Sequence, residues 1–299
     1  MYLNQKNQTT TTMQIRTYSK INIYLKVCGK KDNGYHLIET IFLPLAEPYD
    51  IVSLDISSDY KKITVSSDSN LIPLDRNNIC VKAAELYAEQ TRIKPTWHFH
   101  IEKNIPISAG LGGGSGNAAG ALNLLNTHYK KLSEKQLLEL AAKIGADVPF
   151  FLNPSFAAAK GIGEQISKIN IKTPNCPILL INPRFPVSAA WAYNNIEYHP
   201  NHNYTSQNDT VTEFCNGNFK KLNEIFCNDL QPATFKKFPI LQLLQSFLIE
   251  HNASFSAMSG SGPTLFSLFP DNTTMNTTTA NLIEHFSESI TIIKAKPLI

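Results

Sequence analysis

A glycine-rich segment in the middle of the chain has the residue types and spacing needed to bind a polyphosphate. Residues 105–119 read IPISAGLGGGSGNAA, in which five glycines fall within seven positions, from Gly110 to Gly116. Glycine reaches positive φ and lets the backbone approach a ligand closely, and the N–H groups at a helix N-terminus attract anions. One helix end stabilises an anion by only about 0.3–1 kcal/mol, so several N–H groups must converge on it. The helix-forming residues that follow predict this arrangement.

Other glycine motifs fit this segment less well. A P-loop needs Gly-Lys-Ser/Thr after its glycines, which is missing here, and Gly29-Lys30-Lys31 lacks both the earlier glycine and the hydroxyl. Gly114-x-Gly116-x-x-Ala119 fits the looser dinucleotide fingerprint, but Pro106 and further residues separate it from the preceding strand-like segment. A flexible linker is the remaining alternative. The apolar Leu111 and the small residues 118–121 argue against it, because they indicate close packing.

Three other residues could do chemistry but stand in less distinctive surroundings. Asp147 is the only charged residue in the apolar stretch 145–152, so we expect it to be partly buried and to need a partner. A helix-capping or turn aspartate is the alternative. His98 and His100 share one face of a predicted strand, as a metal pair would, but no third ligand is near in sequence and a surface or core role is favoured.

Composition excludes several classes of protein. The 299 residues are 42% hydrophobic, which is ample for one large domain or two ordinary ones. The net charge of +3 comes from scattered basic residues, which argues against nucleic-acid binding, and no apolar run reaches the ~20 residues of a membrane span. No secretory segment opens the chain, so we expect a cytoplasmic protein. Five cysteines without a Cys-x-x-Cys pair indicate neither a disulfide framework nor a zinc site.

These residues must be positioned by a mixture of strands and helices. Residues 1–12 are polar and are predicted to form a disordered extension. Hydrophobic periodicity predicts strands at 21–27, 37–45, 51–56, 62–65, 97–101, 176–181, 264–269 and 290–295. It predicts helices at 78–92, 117–125, 240–250 and 278–287, and a further helix that begins at the capping box of Ser133 and ends before Gly145. Residues 194–210 are the least regular interior segment and are predicted to be a surface loop.

Three separated segments together resemble the GHMP kinases. They are Ser19–Asn22, the glycine segment and Ser259–Pro263, and their order and spacing match the superfamily from Tyr18 onward. Within it, Lys20-x-Asn22, Asn33-Gly34-Tyr35-His36 and Gly145–Pro149 are most similar to the 4-diphosphocytidyl-2-C-methyl-D-erythritol kinases.

The resemblance implies a fold, an activity and a partner. The fold is α+β in two domains: residues 13–168 form an N-terminal ATP-binding domain with a left-handed βαβ crossover, and residues 169–299 form a ferredoxin-like C-terminal domain. The implied activity is transfer of phosphate from ATP, with Mg²⁺, to the 2-hydroxyl of 4-diphosphocytidyl-2-C-methyl-D-erythritol in non-mevalonate isoprenoid biosynthesis. The expected partner is this small molecule, not nucleic acid or a membrane, and the sequence indicates no oligomeric state.

The same resemblance assigns roles to individual residues. Asp147 is implied to orient or deprotonate the attacking hydroxyl, and Lys20 beside it to stabilise the forming alkoxide. A surface lysine is the alternative for Lys20. The residues implied to hold the nucleotide are Pro106, Gly110, Leu111, Gly112, Gly113, Gly114, Ser115 and Gly116 at the phosphates, with Asn78 and Lys103 near the adenosine. A solvated strand end is the alternative for Lys103, and the metal ligands are not identified beyond a contribution of Ser115 to placing Mg²⁺.

Four residues are implied to bind the substrate: Asn22, Tyr35, His36 and Tyr193. An aromatic ring can stack on cytosine while a histidine reads the edge of the base. A hairpin turn with an ordinary packed tyrosine is the alternative interpretation of Tyr35. Tyr193 matches the second stacking aromatic of the family only approximately.

Gly116, Asn117 and Asn33 depart from the family pattern of serine, aspartate and aspartate at these positions. Gly116 is expected to weaken the helix start by up to about 1 kcal/mol, and the absence of a carboxylate at Asn117 leaves magnesium to the phosphates and water. Two other functions stay open: a GHMP kinase for another small alcohol, such as homoserine or mevalonate, and a catalytically dead nucleotide-binding protein. Retention of Lys20 and Asp147 argues against the second.

Overall fold

The computed structural model describes residues 11–57, 62–196 and 206–298 of the chain. Within these ranges it has ten strands and ten α-helices, and a short 3₁₀ helix at Ser287–Ser289. The strands are β1 (Thr11–Lys30), β2 (His36–Ile56), β3 (Thr64–Ser67), β4 (Trp97–Glu102), β5 (Ala157–Lys160), β6 (Gln165–Lys168), β7 (Ile178–Asn182), β8 (Phe255–Met258), β9 (Leu265–Leu268) and β10 (Thr291–Ala295). The helices are α1 (Ile79–Thr91), α2 (Gly113–Tyr129), α3 (Glu134–Ile144), α4 (Val148–Leu152), α5 (Ala189–Asn194), α6 (Gln207–Cys215), α7 (Phe219–Ile225), α8 (Gln231–Lys237), α9 (Ile240–Glu250) and α10 (Asn272–Phe286).

The chain forms two compact units, each assembled from several segments. The described residues of the first unit are 11–17, 49–57, 62–104 and 113–153. In it β3 pairs in parallel with β4, Thr64 lying opposite His98, and α1 connects the two strands as a βαβ unit. The second half of β2 pairs antiparallel with the other edge of β4. Gly120 lets α2 approach β1, because a Cβ there would lie only 2.5 Å from the Thr17 methyl group.

The described residues of the second unit are 18–48, 105–112, 154–196 and 206–298. Its four-stranded antiparallel sheet has the order β10-β7-β9-β8. Along the chain these strands come in the order β7, β8, β9, β10, and helices follow β7 and β9. This is the ferredoxin-like βαββαβ pattern. Strand β7 is buried on both faces: Ile178 and Leu180 pack in one apolar cluster, and Leu179 and Ile181 in another. The first half of β2 also belongs to this unit, where it pairs with β5, and β5 pairs with β6.

Several predicted elements are present with the expected start or end. The predicted helix 240–250 is α9, and Ser133 forms the predicted capping box of α3. The helix after the glycine segment is longer than the prediction of 117–125, because it already begins at Gly113 and continues to Tyr129.

Other predictions are wrong or stay untested. The two strands predicted at 37–45 and 51–56 are one strand, β2, because Asp50 between them is buried and hydrogen-bonded instead of solvated. Helices α5–α8 were not predicted, although serine N-caps at Ser188 and Ser206 are a local signal for α5 and α6. Of the predicted extension, only Thr11 and Thr12 are described, and they belong to β1; most of the predicted loop 194–210 also lies outside the described residues. The predicted domain division at residue 168 stays a prediction.

Candidate active site

The glycine segment has a backbone conformation that favours glycine. Gly110 and Gly112 have φ of 76° and 74°, in the left-handed region. A Cβ atom at Gly110 would collide with the carbonyl oxygen of Ser259. At Gly114, in the first turn of α2, a Cβ would meet no atom of the described residues within 4 Å apart from its chain neighbours and the backbone of its own helix. An anion therefore has room to approach the N–H groups at the start of this helix.

Apolar side chains anchor the segment before the helix. Ile105, Ala109 and Leu111 are buried and pack in an apolar cluster of the second compact unit. The predicted close packing is confirmed, and the flexible-linker alternative is wrong. A loop that is already ordered loses less conformational entropy when it binds a ligand.

The three segments that carry the family resemblance meet in the second compact unit. The Ser259 hydroxyl donates to the carbonyl oxygen of Gly110 at 3.0 Å, and the backbone N–H of Asn22 donates to the same hydroxyl at 3.3 Å. The backbone N–H of Lys20 donates to the carbonyl oxygen of Leu111 at 3.0 Å. The turn between β8 and β9 thus holds both the glycine segment and the strand that carries Lys20.

The side chain of Lys20 is buried with 4% exposure, so the surface-lysine alternative is wrong. Its ammonium donates to Oδ1 of Asn22 at 2.5 Å and lies 5.4 Å from the ring centroid of Phe42. Nδ2 of Asn22 donates to the hydroxyl of Thr40 at 2.8 Å. Sequence reasoning missed Thr40, although a hydroxyl among apolar residues of a strand is a usable signal.

Asp147 lies in the first compact unit, immediately before α4. It is half-buried, as predicted, and the helix carries Pro149 in its first turn. Asp147 lies in a turn at the N-cap position of α4, as the alternative interpretation expected, but its side chain makes no capping hydrogen bond to the helix. The short helix fixes the backbone of Asp147 without using its carboxylate as a cap.

The predicted substrate-binding residues of the β1–β2 hairpin lie at its turn. Gly34 has φ of 87°, and Asn33 Oδ1 accepts from the backbone N–H of Tyr35 at 3.2 Å. An asparagine therefore supplies the turn-forming oxygen that an aspartate would supply in its place. Tyr35 is 58% exposed, which excludes the ordinary packed tyrosine.

His36 and Tyr193 form a stacked pair in the second compact unit. Their ring centroids are 5.3 Å apart and their planes differ by 21°. Burial lowers the pKa of His36, and the positive charge of Lys30 lowers it further. The neutral ring that results presents one N–H donor and one nitrogen acceptor, which suits a base edge carrying both kinds of group.

Asn78 and Lys103, which the resemblance places near the adenosine, both have structural partners in the first compact unit. Asn78 caps α1: its Oδ1 accepts from the N–H of Cys80 at 2.9 Å, and its amide donates to the Pro73 carbonyl at 2.7 Å. Lys103 is not a solvated strand end, because its ammonium lies 2.5 Å from the carboxylate of Asp50 and both side chains are buried. Burial lowers the pKa of Lys103, and the charge of Asp50 opposes this effect.

Asn117 also bonds to Asp50, the partner of Lys103, and sequence reasoning missed this contact. Its amide donates to Asp50 at 2.8 Å and to the Thr17 hydroxyl at 3.0 Å, and its side chain is buried. An aspartate at position 117 would place a second carboxylate against Asp50. Asparagine at position 117, where the family pattern has aspartate, therefore suits the residues around it, because its amide donates to Asp50 and Thr17 inside the first unit.

His98 and His100 are held by hydroxyl groups of the neighbouring strand β3. Ser66 lies 2.9 Å from a ring nitrogen of each histidine, and Thr64 lies 2.9 Å from the other nitrogen of His98. Within the described ranges, no group of three His, Cys, Asp or Glu side chains is arranged to hold a metal ion. The hydroxyl contacts support the structural interpretation of the two histidines.

None of the helices in the described part of the chain combines the length and hydropathy needed to cross a membrane.

All five cysteines are free thiols. Burial raises the pKa of Cys80 to about 12, so this thiol is inert at neutral pH.

Comparison with known proteins gives a consistent result. The profile of the GHMP kinases N terminal domain matches residues 78–154, and the profile described as GHMP kinases C terminal matches residues 210–288. A 4-diphosphocytidyl-2-C-methyl-D-erythritol kinase of Caldicellulosiruptor bescii is 36% identical over 259 residues, which are 86% of this chain and 89% of that protein.

Solved structures share the fold. A crystal structure of 4-(cytidine 5'-diphospho)-2C-methyl-D-erythritol kinase superimposes with a TM-score of 0.76 at 25% identity, covering 95% of this chain and 98% of the other. The homoserine kinase of Cytophaga hutchinsonii superimposes with a TM-score of 0.71, covering 99% and 97%. Its identity is only 17%, so this second likeness concerns the fold alone.

Proposed function

The chain belongs to the 4-diphosphocytidyl-2-C-methyl-D-erythritol kinase family of the GHMP kinases, and from this we propose that it transfers a phosphate from ATP to the 2-hydroxyl of 4-diphosphocytidyl-2-C-methyl-D-erythritol. The products are the 2-phosphate and ADP, in non-mevalonate isoprenoid biosynthesis. The observation that carries the proposal is the meeting of Lys20–Asn22, Gly110–Leu111 and Ser259 at hydrogen-bond distance.

The nucleotide phosphates are assigned to the glycine segment. The positive φ of Gly110 and Gly112, and the open space at Gly114, fit a polyphosphate. Ser115 adds a hydroxyl in the first turn of α2. Mg²⁺, when bound, neutralises charge on the β- and γ-phosphates. We assign its protein contact to Ser115, with the phosphates and water as the other ligands.

The transfer itself requires an oriented hydroxyl and a stabilised negative charge. We assign the first task to Asp147, whose half-buried carboxylate can accept the proton of the 2-hydroxyl. We assign the second to Lys20, whose ammonium is fixed by Asn22 and so needs little reorganisation during the reaction. The carboxylate ends the step protonated, and the hydroxyl oxygen forms the new bond to phosphorus as the bond to ADP breaks.

Recognition of the cytidyl group is assigned to Tyr35, His36 and Tyr193. The exposed ring of Tyr35 and the ring of Tyr193 offer faces on which a base can stack. The neutral ring of His36 can pair with the edge of cytosine.

Free thiols and a small nucleotide-linked substrate support a cytoplasmic location.

The first experiment measures ADP release by the purified protein with Mg-ATP. It compares 4-diphosphocytidyl-2-C-methyl-D-erythritol with the analogue that lacks the cytidyl group, and with homoserine and mevalonate. We expect strong turnover of the full substrate alone. Turnover of homoserine or mevalonate without turnover of the cytidyl compound would assign the chain to another substrate, and ATP binding without any turnover would identify a dead nucleotide-binding protein.

The assignment of Asp147 is tested with Asp147→Asn, which keeps the shape of the side chain and removes its basicity. We expect the affinity for ATP to stay within about twofold and kcat to fall by about 10²–10⁴-fold. Calorimetric titration with a non-hydrolysable ATP analogue and steady-state kinetics measure the two quantities. An unchanged kcat would remove Asp147 from the reaction.

A further inference from the structure

Thr40 lies in the middle of a buried hydrogen-bond chain that includes Lys20. We propose that Thr40 is a positioning residue for phosphoryl transfer: its hydroxyl fixes the amide of Asn22, and the amide fixes the ammonium of Lys20. The inference rests on the proposed function, because the effect is expressed through the assigned role of Lys20. Thr40 itself is 0% exposed and is not placed in contact with a ligand.

Four groups form the chain, in order. The ammonium of Lys20 donates to Oδ1 of Asn22 at 2.5 Å, and Nδ2 of Asn22 donates to the Thr40 hydroxyl at 2.8 Å. The Thr40 hydroxyl donates to the backbone carbonyl of Tyr24 at 2.6 Å. All four residues belong to the second compact unit, on the paired strands β1 and β2.

Only one direction of hydrogen bonding satisfies the chain. The Tyr24 carbonyl can only accept, so the single proton of the Thr40 hydroxyl is donated to it. The hydroxyl oxygen then has lone pairs available and must receive its second bond from a donor, which is Nδ2 of Asn22. The amide oxygen of Asn22 is thereby turned towards Lys20, whose ammonium can only donate. A flipped amide would place its NH₂ group against the ammonium and its oxygen against a hydroxyl whose proton is already used.

Burial makes this orientation costly to change. Tyr24, Asn22 and Lys20 are 1%, 2% and 4% exposed, so water is not at hand to replace a lost partner. The backbone of Thr40 is also held, because the Gln207 amide donates to the carbonyl of Thr40 at 2.7 Å. A hydroxyl at position 40 therefore determines which end of a neighbouring amide faces the lysine.

The test compares two substitutions of Thr40 in the full chain, with the proposed substrate and ATP. Thr40→Val keeps the shape and removes the hydroxyl, whereas Thr40→Ser keeps the hydroxyl and removes the methyl group. We expect Thr40→Val to lower kcat at least tenfold with KM for ATP within about twofold, and Thr40→Ser to retain kcat within about twofold to threefold.

Thr278→Val is the matched control. Thr278 is 1% exposed, and its hydroxyl donates to the carbonyls of His251 and Thr274. None of these three residues takes part in the hydrogen-bond chain of Thr40. We expect it to lower the unfolding midpoint as Thr40→Val does, and to leave kcat unchanged. A loss of kcat in Thr278→Val equal to that in Thr40→Val would overturn the proposal, because general destabilisation would then explain both.

A coupling measurement separates the chain from simple packing. In an Asn22→Ala background the hydroxyl of Thr40 has no amide to orient, so Thr40→Val should lower kcat less than twofold further. Full additivity, or equal losses in Thr40→Ser and Thr40→Val, would overturn the proposal. If Thr40→Val does not fold, Thr40→Ala takes its place in the same comparison. A wild-type protein that does not turn over the cytidyl substrate would instead overturn the proposed function, and this inference with it.

Discussion

Two lysines of this chain are buried among polar side chains, and their surroundings differ in kind. Lys103 donates to the carboxylate of Asp50, which also accepts from the N–H of Asn104 and the amide of Asn117, both at 2.8 Å. Lys20 instead donates to the neutral amide of Asn22. In the first network three donors converge on one carboxylate, whereas in the second Asn22 accepts from Lys20 and donates to Thr40.

The difference teaches how a buried lysine can be interpreted. The network around Asp50 joins the strand β2, the residues after β4 and the helix α2, and it pairs the Lys103 ammonium with a carboxylate. The bonds from Lys20 to Asn22 and from Asn22 to Thr40 orient the Lys20 ammonium, so its direction depends on each of these bonds. We therefore expect Lys103 to contribute mainly to the stability of the first unit, and Lys20 mainly to turnover.

The largest effect should follow removal of Lys103. We expect Lys103→Met to lower the free energy of unfolding by about 3–5 kcal/mol, because the Asp50 carboxylate stays buried without its cation. Urea unfolding followed by circular dichroism measures this change. The control is Lys160→Met, which breaks the partly exposed pair with Glu39 and should cost less than ~1 kcal/mol.

Adding Asp50→Asn to Lys103→Met sharpens this prediction. The amide removes the unbalanced charge and keeps an acceptor oxygen, so part of the lost stability should return. A Lys103→Met protein that keeps its stability and loses affinity for ATP would reverse the comparison, and would restore the nucleotide role that the family resemblance implies.

The next effect concerns Lys20 and should appear in the rate. We expect Lys20→Met to lower kcat by about 10²–10³-fold, the typical loss for one preorganised electrostatic contact. The free energy of unfolding should fall by only about 1–3 kcal/mol, because Asn22 Oδ1 loses its donor. The exposed Lys168 supplies the control, Lys168→Met, which should change neither quantity. A large loss of stability with normal turnover would remove the distinction between the two lysines.

A smaller effect, of opposite sign, is expected next to Lys20. The Ser19 hydroxyl is the single buried side-chain N or O atom without a hydrogen-bond partner in the described ranges. Ser19→Ala should therefore raise the free energy of unfolding by about 1–3 kcal/mol. Ser259→Ala should lower it, because the Ser259 hydroxyl has both a donor and an acceptor. Destabilisation by Ser19→Ala would reveal a bound water or another partner.

The smallest effect concerns pH and the cytidyl group. Because burial lowers the pKa of His36, its ring is neutral in the folded protein until the pH falls below the usual histidine value of about 6.5. Protonation then removes the acceptor nitrogen, so KM for the cytidyl substrate should rise about threefold between pH 7.5 and pH 5.5. KM for ATP should stay level, and His36→Gln should flatten the profile for the substrate. Parallel rises in both KM values would assign the pH effect to another group.

Local signals determined much of this protein from its sequence. The capping box of Ser133, the bounds of α9 and the glycine-rich approach to α2 depend on residues close together in the chain, so their patterns predict the elements correctly. The separated kinase segments, from Ser19 to Pro263, pointed to the family for the same reason, because each is a short local motif.

The tertiary structure decided which buried groups pair with one another. Lys103 and Asp50 are 53 positions apart, and Asn22 and Ser259 are 237 positions apart, so no local pattern links them. Lys20 and Asn22 lie two positions apart on one strand, so their contact is local. The pairing of Lys103 with Asp50 depends instead on which strands become neighbours, and that is settled by packing of the whole unit. The roles of Thr40 and Asp50 follow from those neighbours, whereas the sequence by itself identified the residues at which a phosphate and a hydroxyl are expected to meet.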